Sequence, residues 1–245
     1  DSIPLFAILF KLLTQSIDGP FQYFGIWMLC CFVLQAIAAW FLFSLITVDR
    51  VIRLIGSIYF LFAPILLWRF VVTNSLAAQF LILIALYLVL RPQLKLPWLL
   101  WAVLLSLAAS IHFYLLAMAG SLWVVALIRV GVGQSTPKRI WTAVLATAVT
   151  GSVLGLVFWQ VGYFAVRGGA AVSGSYGIGH LNLLGLLDSS GYSYVLPDIA
   201  ETPAIYNSFD RALSHFEGFA YLGLGLIFCL GFALWGLRYR QVSLK

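Results

Sequence analysis

The stretch that decides the fold is LAASIHFYLLAMAG, residues 107–120, where a histidine and a tyrosine interrupt an apolar run that extends from 97 to 129. A single helix over this run would be about 50 Å long, which is too long for one upright crossing of a membrane. Two helices meeting near His112 would each have about 15 residues, at the lower limit for spanning. Length alone leaves both alternatives open.

Composition sets the environment of this run. Hydrophobic residues make up 63% of the 245-residue chain and charged residues 9%, and the mean hydropathy is +1.03. Soluble domains are about half apolar and a quarter charged, so the composition predicts an integral membrane protein whose partner is the lipid bilayer. The formal charge of +6 comes from basic residues scattered at the ends of apolar runs, which argues against nucleic-acid binding. Cys30, Cys31 and Cys229 lie inside apolar runs and are expected to be small buried side chains.

The positions of the charges decide between the two alternatives. With the first run entering from outside and 97–129 forming a hairpin, ten of the 14 basic residues are cytoplasmic. These are Arg50, Arg53, Arg91, Lys95, Arg129, Lys138, Arg139, Arg238, Arg240 and Lys245. A single crossing would instead move Arg129, Lys138 and Arg139 to the outer face, against the positive-inside bias. The hairpin therefore gives seven transmembrane helices, with His112 and Tyr114 at an outer tip.

The predicted fold class is an all-α membrane protein, a polytopic helical bundle of about seven transmembrane helices with a long external loop. Its single membrane domain comprises residues 1–245. The segments are 1–22, an external interfacial helix; 23–163, transmembrane helices; 164–217, the external loop; 218–237, the last transmembrane helix; and 238–245, the cytoplasmic end. Within the loop, residues 180–188 are expected to form a surface or re-entrant helix. The start at Asp1 and the stop after an apolar run lead us to expect a fragment of a longer chain.

Six stretches, in order along the chain, carry a resemblance to a known family. They are DSIPL at 1–5, PFQYFGIW at 20–27, LLWR at 66–69, IHFYLLAM at 111–118, HLNLLGLLD at 180–188 and FEGFAYLGLG at 216–225. With them the chain resembles uncharacterised bacterial inner-membrane proteins that look like glycosyltransferases of the GT-C type, which use polyprenyl-phosphate-linked sugars. The resemblance implies a preceding helix and an acidic external loop upstream of Asp1. It also implies a Gly-His pair after Arg69, where this chain has Thr73 and Asn74, and an amide cannot take up a proton near neutral pH.

Transfer of a sugar from a lipid phosphate needs a base, cations for the phosphate and contacts to the saccharide. Arg69, Arg167 and Arg211 are candidate phosphate ligands because a guanidinium matches phosphate oxygens, although each could simply extend towards lipid headgroups. The further substrate-binding candidates are Asn74, Tyr114, His180 and Asn182. The catalytic candidates are His112, Asp188 and Glu217. For each of these there is also a structural interpretation: His112 as a satisfied hairpin tip, Asp188 as a turn residue and Glu217 as a charge at a helix start.

Three functions are compatible with these residues. The first is a glycosyltransferase that moves a sugar from a polyprenyl-phosphate donor to a saccharide or envelope acceptor on the external face. The second is a transporter or flippase of lipid-linked saccharides, which predicts polar groups at mid-membrane depth and discontinuous helices. The third is a non-catalytic membrane subunit. The spacing of His180, Asp188, His215 and Glu217 fits no compact ligand motif, so no metal site is predicted and the cofactor stays unassigned, a divalent cation being the one considered.

Overall fold

The computed structural model describes residues 3–13, 21–91, 97–132, 137–165, 183–189, 192–196 and 219–243, and within these ranges the chain forms helices and no β-strand. The helices are α1 (Pro4–Leu13), α2 (Phe24–Phe43), α3 (Arg50–Leu61), α4 (Pro64–Val72), α5 (Phe80–Leu90), α6 (Pro97–Ile111), α7 (Phe113–Val132), α8 (Pro137–Val161) and α9 (Leu224–Ser243). Two 3₁₀ turns, Asn74–Ala77 and Leu183–Leu186, accompany them. The predicted all-α class is confirmed for the described residues.

The chain divides into two compact units. Unit 1 comprises Asp1–Phe62 and Arg69–Gly169, and unit 2 comprises Ala63–Trp68 and Ala170–Lys245. Each unit has buried side chains of its own, among them Trp27 and Trp101 in unit 1 and Leu66 and Tyr221 in unit 2.

Three helical segments are long and apolar enough to cross a membrane: Phe24–Phe43, Arg50–Val72 and Ile140–Val161. On the last of them, large apolar side chains such as Trp141 and Trp159 are exposed, which suits a surface that faces lipid. These segments mark the chain as an integral membrane protein. The other apolar helices are shorter, so seven crossings remain a prediction.

Helix α2 buries one stripe of side chains against α3 and α5. The stripe follows the three- and four-residue spacing of a helix face and consists of Trp27, Cys31, Gln35, Ala38, Ala39 and Leu42. Because α2 is apolar all round, its sequence periodicity does not reveal this face. Gln35 is the polar member of the stripe, and its Oε1 has no hydrogen-bond partner among the described residues.

The run 97–129 folds as two helices that turn at His112. Near the end of α7, Arg129 Nη1 donates a hydrogen bond to the backbone oxygen of Val89, near the end of α5. A straight helix from Pro97 would carry Arg129 nearly 50 Å away, beyond the reach of the short connection from Val89 to Pro97. The chain therefore reverses at His112, and α6 and α7 pack against each other, in agreement with the predicted hairpin.

The segment Arg50–Val72 is interrupted at Phe62 and Ala63. Helix α3 ends when the backbone N–H of Phe62 donates to the Ile58 oxygen, and α4 begins at Pro64. Proline lacks the N–H that a continuing helix would use, so the series of helical hydrogen bonds is interrupted at Pro64.

The expectation for the last helix is wrong. This helix begins at Leu224 and not at 218, because Gly223 has φ +83° and an α-helix cannot pass through that conformation. Of the helix expected over 180–188, residues 183–186 form a 3₁₀ turn, and residues 180–182 lie outside the described residues. Of the cysteines, Cys31 is buried as expected, whereas Cys229 is exposed on α9.

Candidate functional site

Arg69 lies in the last turn of α4, where the chain enters a short polar segment. Its Nη1 donates to Thr73 Oγ1 at 3.2 Å, four residues further on. From the start of α2, Trp27 Nε1 donates to the backbone oxygen of Asn74 at 2.7 Å. The indole of Trp27 is 2% exposed, so this bond ties the segment to the helix core of unit 1. We refer to residues 73–75 as the first polar turn.

The first polar turn contains two buried oxygen atoms without partners. Asn74 Oδ1 and Ser75 Oγ are inaccessible to solvent and accept or donate no hydrogen bond within the described part of the chain. An unsatisfied buried polar atom costs roughly 1–3 kcal/mol, so native structures seldom retain one without a reason. Asn74 was predicted as a substrate-binding residue, whereas Ser75 and Trp27 were not. Trp27 falls in one of the matching stretches, but nothing in the sequence distinguishes Ser75 from a small residue inside an apolar helix.

His112 begins α7 and caps it. Its Nδ1 accepts a hydrogen bond from the backbone N–H of Tyr114 at 3.2 Å, and its backbone oxygen accepts from the N–H groups of Leu115 and Leu116. A backbone N–H can only donate, so Nδ1 carries no proton and the neutral ring is protonated at Nε2. The structural interpretation of His112 as a satisfied residue at the hairpin tip thus receives direct support. The Tyr114 ring lies 5.1 Å from the imidazole and is 57% exposed.

Within unit 1, the first polar turn and His112 lie towards the same end of the helices. Helices α5 and α7 pack side by side and finish together at the Arg129 bond, so their starting ends also share one side. The start of α5 follows the first polar turn, and the start of α7 is His112. The opposite end holds three arginines: Arg53, which donates to the Thr47 oxygen, Arg91, which stacks on Tyr87, and Arg129. The polar and the cationic residues of unit 1 are therefore segregated along the helix axes.

Unit 2 contains a second polar segment, Asp188 and Ser189, which we call the second polar turn. Asp188 is 3% exposed and Ser189 fully buried, and Ser189 Oγ has no partner among the described residues. The backbone N–H of Tyr192 donates to the Ser189 oxygen, and the N–H of Leu222 donates to the Leu186 oxygen, which joins this turn to the segment before α9. The catalytic candidate Asp188 is thus a buried carboxyl group, in contrast to an exposed turn residue.

Aromatic rings accompany the second polar turn in unit 2. The Trp68 ring meets that of Tyr192 edge-on at 5.5 Å and that of Phe219 at 5.0 Å, and Tyr192 and Phe219 meet at 6.0 Å. Each pair lies within the range of favourable aromatic contacts. Sequence reasoning missed this cluster because its members come from three segments separated along the chain.

The remaining site candidates lie outside the described residues; they are Arg167, His180, Asn182, Arg211 and Glu217. Helix α9 begins at Leu224, seven residues after Glu217. Among the residues that the structure describes, no three His, Cys, Asp or Glu side chains gather closely enough to hold a metal ion.

The helical fold and the separation of polar from cationic residues define the class of protein, which is an all-helical integral membrane protein. The family follows from comparison with known proteins. The profile of a family described as a domain of unknown function, DUF6311, matches residues 1–245, so the chain belongs to this family. No curated protein and no solved structure matches the chain.

Proposed function

We propose that the protein transfers a sugar from a polyprenyl-phosphate donor to a saccharide or envelope acceptor on the external face of a bacterial inner membrane. The observation that carries the proposal is the segregation within unit 1. Arg69, Asn74 and His112 lie towards one end of the helices, and Arg53, Arg91 and Arg129 lie at the other. Since cytoplasmic ends of membrane helices collect Lys and Arg, the end with Asn74 and His112 is assigned to the outside. The proposed topology has seven crossings and a long external loop.

Arg69 is the proposed ligand of the donor phosphate. A guanidinium offers several N–H groups in a fixed plane, and Thr73 Oγ1 accepts a hydrogen bond from only one of the Arg69 nitrogens, Nη1, at 3.2 Å. The Thr73 contact restricts the side chain, so less conformational entropy is lost when phosphate binds. As the bond to the departing phosphate breaks, the fixed charge stabilises the oxygen that becomes negative.

His112 is proposed as a hydrogen-bond donor and not as a base. Its Nδ1 is committed to the Tyr114 N–H, so the neutral ring presents a protonated Nε2. An N–H at Nε2 can donate a hydrogen bond to an anionic oxygen, whereas protonation of Nδ1 would break its hydrogen bond with the Tyr114 N–H. Asp49, the other carboxylate of the described residues, caps α3. Asp188 stays a catalytic candidate, beside Glu217 and the acidic loop that the resemblance implies upstream of Asp1.

The test is a transfer assay in proteoliposomes with an isotopically labelled polyprenyl-phosphate sugar. Arg69→Leu is expected to lower transfer by about 100-fold or more, and Arg69→Lys by less, because a lysine retains the charge but not the fork of donors. Arg91→Leu, at the opposite end of unit 1, is the matched control and should transfer like the unmodified protein. Normal transfer by Arg69→Leu would contradict the proposed role of Arg69.

The role of Asp188 is tested separately. Asp188→Asn preserves the size of the side chain and removes its capacity to accept a proton, so transfer should fall by about 100-fold or more if Asp188 is the base. Unfolding in graded detergent shows whether the variant is still folded. A folded Asp188→Asn variant with full transfer would exclude Asp188 as the base and leave the Arg69 result standing.

A second candidate function, translocation of a lipid-linked saccharide, is favoured by two observations. The apolar segment Arg50–Val72 is interrupted at residues 62–63, and Gln35 is buried on α2 with an unpartnered oxygen. Broken helices and polar groups at membrane depth are typical of transporters. In the same proteoliposomes, movement of the labelled lipid between leaflets without any transfer product would favour this function, and transfer without movement would exclude it.

A further inference from the structure

The unpartnered polar atoms of the described residues are unevenly distributed. Four belong to residues that are not adjacent to one another in the sequence: Gln35, Ser106, Trp123 and Ser189. The other two, Asn74 Oδ1 and Ser75 Oγ, belong to consecutive residues of the first polar turn. A bound water or ligand group that replaces solvent at a buried site needs two or more polar partners. Among the described residues, two neighbouring unpartnered side chains are found at the first polar turn.

The chemistry of these two atoms restricts what they bind. Asn74 Oδ1 only accepts hydrogen bonds, while Ser75 Oγ both donates and accepts. Two nearby nitrogen donors have other partners, since Trp27 Nε1 bonds the Asn74 backbone oxygen and Arg69 Nη1 bonds Thr73. A phosphate oxygen cannot donate to Asn74 Oδ1, and an apolar group would satisfy neither atom. A neutral hydroxyl donates one hydrogen and accepts another, which suits both atoms.

We propose that Asn74 and Ser75 bind a hydroxyl group, either a sugar hydroxyl of the lipid-linked donor or an ordered water. Binding of a sugar hydroxyl rests on the proposed function, whereas binding of an ordered water does not. Ser75 is fully buried, so the hydroxyl is a single small group and not the face of a whole sugar ring. With Arg69 in the preceding helical turn, the phosphate and the hydroxyl would be bound by separate side chains of one short segment.

Two matched probes test the sugar source. One is a prenyl phosphate of ten carbons carrying a hexose, and the other is the same prenyl phosphate without the sugar. The unmodified protein in nanodiscs should bind the sugar-bearing probe more tightly. Ser75→Ala and Asn74→Leu should each reduce that preference roughly fivefold to tenfold, the effect of one hydrogen bond, and leave binding of the sugarless probe unchanged. Arg69→Leu should weaken binding of both probes.

Ser57→Ala is the control for the serine variant. Ser57 is also buried, but its hydroxyl donates to the Arg53 backbone oxygen at 2.8 Å and so has a partner. This variant should retain the preference for the sugar-bearing probe. Because the probes report binding and not turnover, a protein that discriminates between them yet transfers nothing would refute the proposed function and support the hydroxyl site.

Radiolytic labelling tests the water source in the absence of any probe. A water bound at the first polar turn generates hydroxyl radicals beside Trp27, which is closed to bulk solvent, while the equally buried Trp101 lies on α6. Oxidation of Trp27 above that of Trp101, lost in Ser75→Ala, would identify an ordered water. If Trp27 is not oxidised and Ser75→Ala leaves the probe preference intact, no hydroxyl binds at Asn74 and Ser75 and the inference is refuted.

Discussion

The two polar turns bury polar side chains under different conditions. The first polar turn, in unit 1, is neutral and is tied to α2 by the Trp27 bond to Asn74. The second polar turn, in unit 2, carries a carboxyl group, and the same unit contains the Trp68, Tyr192 and Phe219 rings at 5.0–6.0 Å from one another. Burial of a group that can carry a charge costs more than burial of a neutral amide or hydroxyl. The two turns can therefore be examined by separate substitutions, one unit at a time.

The largest expected effect comes from removing one tryptophan from each unit, Trp27 from unit 1 and Trp68 from unit 2. Trp27→Ala should lower the free energy of unfolding by about 3–5 kcal/mol, because a buried indole and its hydrogen bond are both lost. Trp68→Ala should cost less, about 1–3 kcal/mol, since Trp68 is half-buried and its two ring contacts are each worth about 1 kcal/mol. Reversible unfolding in mixed micelles measures both. A larger loss of unfolding free energy for Trp68→Ala would contradict the expectation that Trp27, with its hydrogen bond to Asn74, contributes more to stability than Trp68.

The next effect concerns one glycine from each unit. A Cβ on Gly56 would lie 2.3 Å from the Phe43 ring, so Gly56→Ala should destabilise by about 1–3 kcal/mol through overpacking. Gly223→Ala should cost about 1–2 kcal/mol for a different reason, since φ is +83° and Pro64 lies 3.2 Å from the added carbon. Gly151, with nothing within 4 Å, is the control, and Gly151→Ala should stabilise α8 by about 0.5–1 kcal/mol. Equal effects of all three substitutions would contradict this account.

A smaller effect separates the buried serines of the two polar turns, Ser75 and Ser189. Ser189→Ala should stabilise the protein by up to about 1 kcal/mol, because an unpartnered hydroxyl is removed from a fully buried site. Ser75→Ala should instead destabilise by about 0.5–1.5 kcal/mol, since a bound hydroxyl would lose a hydrogen bond. Thermal unfolding of the two variants without added lipid measures the difference. The same sign for both substitutions would remove the distinction between the turns.

A fourth prediction separates capping from chemistry at the hairpin tip. His112→Ala should destabilise by about 1 kcal/mol through loss of the cap, and His112→Asn should be near neutral because asparagine is a favoured N-cap. If the imidazole contacts substrate, both variants should nevertheless lose transfer. Full transfer by His112→Asn would show that the cap is the whole role of His112.

The parts of the fold that the sequence predicted depend on charge and length. The reversal at His112 followed from the placement of Arg129, Lys138 and Arg139. The start of α9 was missed because a left-handed glycine is indistinguishable in sequence from the glycines inside that helix. Only the backbone angle of Gly223 distinguishes them.

The candidate site was predicted in part. Arg69, Asn74 and His112 were identified because charged or polar side chains are conspicuous in an apolar chain. Ser75 and Ser189 escaped notice because serine is common in membrane helices, where its hydroxyl returns to the preceding turn, as Ser110 does with the Ser106 oxygen. The unpartnered state of a hydroxyl depends on tertiary packing and so has no signature in the sequence.

The cap formed by His112 has a consequence for how substitutions at this position are interpreted across the family. Serine, aspartate and asparagine would preserve the turn between α6 and α7 equally well, because each provides a side-chain oxygen for the Tyr114 N–H. Relatives in which the imidazole has no chemical role could therefore carry any of these residues without losing the hairpin. If a group of relatives keeps histidine although three other residues would cap the helix equally well, selection acts on the imidazole itself.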